Sequence, residues 1–172
     1  MADTIRTKTA LLALYAVGVA GGVSAQDTRD LIASVLGTYG SIRFRGNAVV
    51  QAITASTPEV LTEWTGDGLS DGVTVGFATD NMTIVTAGDY EVSFQCSFQG
   101  VATKIQEFEL RIDGVATGLS TRRYTSSNDV GSCSFRDILT LAAAEVLTVW
   151  VEGSGNGNIV VEEGALVVRR VG

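Results

Sequence analysis

Few residues in this 172-residue chain are equipped for chemistry, and the absences among them are informative. There is no histidine. That removes the usual proton carrier near neutral pH, excludes Ser-His-Asp and Cys-His nucleophilic units, and takes away the commonest ligand of zinc, copper and iron. The two cysteines, Cys96 and Cys133, are too few for a disulfide scaffold. They sit among apolar, alternating residues and read as buried thiols, or at most one bridge. The stretch Asp67-Gly68-Leu69-Ser70-Asp71-Gly72 could offer carboxylates to calcium, but it lacks the length and the distal glutamate of an EF-hand loop and reads as a solvated turn. Gly153-Ser154-Gly155-Asn156-Gly157 has no helix start behind it to hold a phosphate, so it reads as a hairpin loop. What remains is recognition. Trp64, Arg122 and Tyr124 combine aromatic faces with a guanidinium, a set that could form a glycan platform on exposed loops but reads first as an interface or a loop-packing group. The expectation is a non-enzymatic protein with no metal and no cofactor.

The elements that must position such residues are strands. Hydrophobic residues make up 45% of the chain and charged ones only 18%, with 20 glycines and a single proline, Pro58. This composition describes a turn-rich β protein rather than a disordered or collagen-like one. In the clearest run, Tyr90, Val92, Phe94, Cys96 and Phe98 alternate with Glu91, Ser93, Gln95 and Ser97. Phe108, Leu110 and Ile112 alternate in the same way, and Asp113-Gly114 supplies a tight hairpin turn. Residues 39–53 read as strand split near Gly46-Asn47, whereas residues 54–72 and 120–129 read as loops. Cys133, Phe135, Leu139 and Leu141, then residues 146–151 and 159–171, complete the set. Some eight to ten strands without intervening helix predict an antiparallel sandwich or barrel.

The first 38 residues differ. Ile5, Leu11, Leu12 and Tyr15 fall on one helical face, glycines 18, 21 and 22 interrupt, and Ser24-Ala25-Gln26-Asp27 forms a capping box for a second helix ending at Gly37. The apolar run followed by Val23-Ser24-Ala25 imitates an export signal. A capped helix starting at the supposed cleavage site argues instead for a retained, two-helix arm. The run is also shorter than the roughly 20 residues that span a bilayer. Residues 1–38 are therefore read as a docking arm and residues 39–172 as the head. Residues 1–45 carry five basic and three acidic side chains, and the remainder seven basic against sixteen acidic, within a net charge of -7. Such a body repels nucleic acid and anionic membrane, so neither is expected as a partner.

Three strings carry a resemblance. T-A-G-D-Y-E-V-S-F at residues 86–94, L-T-L-A-A-A-E-V-L-T-V-W at 139–150 and G-A-L-V-V at 164–168 resemble the trimeric jelly-roll family of tumour necrosis factor and the complement globular head. Ala144-Glu145 departs from the Gly-Asp often found in that family's turn. In a lone sandwich Tyr90, Phe94 and Phe98 are simply core; the resemblance implies a homotrimer in which they bury one another along the threefold axis. In the arm, Arg6-Thr7, Leu11-Leu12-Ala13-Leu14 and Ser24-Ala25-Gln26-Asp27-Thr28-Arg29-Asp30 resemble a leader found on tail, fibre and head-decoration proteins of bacteriophages.

Together these imply a phage virion protein assembled in the host cytoplasm. The expected role is capsid decoration, with the trimer cementing the major capsid protein on the particle exterior. Leu11, Leu12 and Tyr15 are the apolar contacts of the arm, and Arg6, Lys8, Arg29 and Asp30 set its polar register. Two other roles use the same head: a tail-fibre or spike tip reading host glycan through Trp64, Arg122 and Tyr124, and a secreted trimeric bacterial ligand or matrix protein.

Overall fold

Alternating side chains build a two-layer sandwich in the computed structural model, which describes residues 28–29, 37–126 and 129–171. The strands are β1 (Tyr39–Phe44), β2 (Gln51–Ile53), β3 (Glu59–Val60), β4 (Gly66–Asp67), β5 (Val73–Gly76), β6 (Asn81–Ile84), β7 (Gly88–Gln99), β8 (Lys104–Ile112), β9 (Val115–Thr125), β10 (Val130–Leu141), β11 (Val146–Gly153) and β12 (Gly157–Arg170). Every pairing between these strands is antiparallel. One sheet runs β10-β7-β12-β1-β4 with β2 beside β12, and the other runs β5-β6-β11-β8-β9 with β3 beside β11. From β6 onward the chain crosses repeatedly between the layers, as a jelly roll does.

The described residues thus hold twelve strands rather than eight to ten. The surplus comes from short pieces, β3 and β4, inside the segment expected to be loop. Residues 120–125, also expected to be loop, continue β9, because Glu107 and Ile105 of β8 pair with Arg122 and Tyr124. Of residues 1–38, the expected two-helix arm, Thr28, Arg29, Gly37 and Thr38 are described: the first two are helical and exposed, and the last two lead into β1, with Thr38 buried and its carbonyl accepting the Arg170 N–H at 2.7 Å. The rest of that arm lies outside the described residues.

Inward-facing positions of both sheets meet in one core. Tyr90, Val92, Phe94 and Phe98 of β7 face Phe108 and Leu110 of β8 and Leu147, Val149 and Val151 of β11. All are essentially inaccessible to water, and each large apolar side chain so buried contributes about 1.5–3 kcal/mol. The Asp113-Gly114 turn has both residues at positive φ, 51° and 78°, which matches the twist of the strands it joins. Ala144 also has positive φ, 72°, so the position where the resembled family often has glycine is one where glycine is favoured and alanine is strained.

The long strand β12 contains a bulge between Val161 and Glu163. The turn after β1 clamps it: the Asn47 amide Nδ2 donates to the Val161 carbonyl at 2.9 Å and the Asn47 backbone N–H to the Glu162 carbonyl at 3.1 Å. The Gly46 N–H donates to Glu163 Oε1 at 2.9 Å, and Asn47 Oδ1 accepts from the Val49 N–H. Asn47 is buried, so Asn47→Ala leaves the Val161 carbonyl without its side-chain donor. The expected loss is about 1–3 kcal/mol, read as a lower denaturant midpoint with an unchanged slope.

Candidate functional site

The outward face of the first sheet is the surface most clearly shaped for contact. Register fixes its rows. Ser132, Ser97 and Glu163 form one, and Ser134, Gln95, Ala165 and Arg43 the next. Arg136, Ser93, Val167 and Ser41 form a third, and Ile138, Glu91, Arg169 and Tyr39 a fourth. The outward positions that alternate with the core set include Ser93 and Ser97 of β7, either side of Gln95, and Ser132 and Ser134 of β10, so the middle of the face has little relief. Two shallow open hollows lie there, one over Gln95, Ser97, Ser132, Ser134 and Glu163, the other over Ser93, Gln95, Ser134, Arg136 and Val167. One border carries charge: Glu91 Oε2 accepts from Arg136 Nη2 at 2.6 Å and lies 3.7 Å from Arg169 Nη2.

Tyr90, Phe94 and Phe98, expected on a threefold axis, are instead inside the chain's own core, with at most 1% of each exposed. Phe98 packs edge-on against Phe108 with centroids 4.9 Å apart, and Phe94 lies 5.6 Å from the same ring. The Tyr90 hydroxyl donates to the Thr86 carbonyl. Side chains of successive strand residues point to opposite faces, so the residues able to meet another chain are one position along: Glu91, Ser93, Gln95 and Ser97.

The expected recognition platform also comes apart. Trp64 is buried, stacked on Phe44 with centroids 4.2 Å apart, and its indole N–H donates to the Leu61 carbonyl at 3.0 Å. It is a plug over the core and not an exposed binding surface. Arg122 and Tyr124 are exposed on the outward face of the second sheet, Arg122 lying 4.0 Å from Glu107 and Tyr124 opposite Ile105.

The tryptophan on that face is Trp150, which the sequence reading passed over. The Arg111 guanidinium sits 4.2 Å above its ring, and the Arg111 Nε–H donates to Glu109 at 3.1 Å. The signal for it was present: Leu147, Val149 and Val151 set an inward phase that leaves Thr148, Trp150 and Glu152 outside.

The stretch from Asp67 to Gly72 ties sheet edges together: Asp67 Oδ1 accepts the Phe77 N–H at 2.9 Å, and the Asp71 backbone pairs with Tyr39. Of the arm residues, Arg29 is helical and exposed. Arg6, Lys8, Leu11, Leu12, Tyr15 and Asp30 lie outside the described residues.

The fold is similar to that of tumour necrosis factor and complement globular domains. The chain is similar to murine APRIL (crystal structure at pH 5.0), with a TM-score of 0.58 and 12% identity over 78% of this chain and 99% of that one. The globular domain of zebrafish complement 1qA gives a TM-score of 0.52 at 16% identity, covering 78% and 98% of the two chains. Eiger TNF from S. frugiperda gives 0.54 at 14%, covering 78% and 94%. At these identities the likeness is one of fold. No protein-family profile matches the sequence, and no curated protein matches it either.

Proposed function

We propose that this chain is a non-enzymatic, structural virion protein of a bacteriophage. Three jelly-roll heads associate on the capsid exterior after assembly in the host cytoplasm, and residues 1–38 fasten the trimer to the major capsid protein, stabilising the shell. The observation that carries the trimer is the low-relief face of β10, β7 and β12, where Ser93, Ser97, Ser132, Ser134 and Ala165 allow close approach of another chain. A closed ring of three needs a heterologous contact, in which this face meets a different surface of the next copy. The capsid assignment rests on the leader-like residues Arg6 to Asp30. Three arms on one trimer act together, so weak single contacts give firm attachment through effective concentration.

The test compares the full chain with one lacking residues 1–37 for binding to purified expanded capsids. The truncated chain is expected to keep its sandwich and its trimeric mass while losing binding by at least about 100-fold, the scale of avidity supplied by linked sites. A truncated chain that still saturates capsids overturns the docking role of the arm. A full chain that is monomeric by light scattering overturns the trimer.

A further inference from the structure

Cys96 and Cys133 are direct partners in the antiparallel pair of β7 and β10. Both are free thiols, both are nearly buried with 5% and 7% exposed, and both belong to the core-facing set. Directly opposed residues of such a pair have Cα atoms about 4.5–5.5 Å apart, inside the roughly 4.4–6.8 Å that a disulfide spans. Their Cβ atoms are about 4.5–5.5 Å apart against the 3.5–4.5 Å or so that the bridge needs, so closure asks for a shift of an ångström or less. The edge strand β10 can supply it, because among the described residues only β7 lies beside it in its sheet.

We infer that Cys96 and Cys133 form a latent cross-strand disulfide, held as thiols in a reducing compartment and closed where low-molecular-weight disulfides are present. In closure each thiol gives up its proton and the new S–S bond forms by two successive exchanges. The S–S bond of one small disulfide molecule breaks, takes the electron pair and leaves as two thiols. The bridge would lock the edge strand β10 to β7 and so fix the row spacing of the outward face described above. Residues 97–132 lie within the closed loop, a length at which a bridge raises stability substantially through the unfolded chain.

Burial raises the pKa of both thiols, most strongly at Cys96, where the neighbouring Cys133 adds to the effect; at Cys133 the Thr121 hydroxyl and the Arg123 charge oppose it. Exchange through the thiolate is correspondingly slow in the folded chain, so the experiment admits oxidant during folding.

The full chain is refolded from denaturant in oxidised glutathione, then denatured, alkylated and weighed. The expected product is a single chain lighter by two hydrogens, with no alkylated cysteine, a peptide linking positions 96 and 133, and a melting temperature about 10 °C above the reduced chain. Dithiothreitol should abolish the increase, and C96S or C133S should never show it. Two alkylatable thiols, glutathione adducts, bridges between chains, or a bridged chain melting no higher than the reduced one would each overturn the inference. The inference rests on register within one chain, so its failure would leave the trimer and the arm standing, and theirs would leave it standing.

Discussion

Phe94→Ala should lower the stability of the head by about 3–5 kcal/mol, a fall of roughly 10 °C or more in melting temperature for a chain of this size. Phe94 joins most of the aromatic core: it lies 5.2 Å from Phe135 in its own sheet, 5.6 Å from Phe108 in the facing sheet, and 6.4 Å edge-on from Trp64 over the core. Truncation therefore removes contacts to both layers and leaves a cavity walled by rings that cannot collapse into it without leaving their rotamers. Thermal unfolding followed by circular dichroism reads the effect. A melting temperature within about 2 °C of the parent would show that the neighbouring rings refill the space and that the core is not rigidly packed.

The second large effect concerns assembly. Ser134→Arg puts a long cation on the exposed middle row of the first sheet, beside Gln95 and one row from Arg136. The isolated chain tolerates it, since Ser134 faces solvent there. In the proposed ring the substitution recurs at every interface. Placing a charge against a surface with no matching partner costs several kcal/mol each time. The expected outcome is conversion of the trimer to folded monomer at micromolar concentration, measured by light scattering alongside an unchanged melting curve of the monomer. Ser134→Ala should leave the trimer intact. A Ser134→Arg chain that remains trimeric would move the interface off this face.

The periodic parts of the fold were legible because they are local. Tyr90 to Phe98 alternate without a break, and the observed strand does likewise; Asp113-Gly114 turns where such a pair should. Gly46-Asn47 divides β1 from β2 as expected, although its role in clamping the β12 bulge depends on residues more than 110 positions away and has no local trace. What alternation cannot convey is which apolar face belongs to the chain's own core and which to another copy, so it leaves Tyr90, Phe94 and Phe98 open between core and threefold axis; their burial within the chain favours the core. Trp64 sits in a polar stretch, and its burial arises from Phe44 and Leu61 meeting it in space. Arg122 to Thr125 read as loop in the sequence because their strand character comes from pairing with β8 and not from their own propensities.

The bulge in β12 has a consequence for how that strand is composed. Before it, Ile159 and Val161 point inward; after it, Leu166 and Val168 do. The odd-numbered positions are thus core on one side of the bulge and surface on the other, so the strand is written in two phases joined by one surplus residue. Ala165 and Val167 belong to the outward face only because of that change of phase. Deleting a single residue between Val161 and Glu163 would carry one half of the strand out of step with the other, exchanging what the chain keeps inside for what it offers to a neighbour.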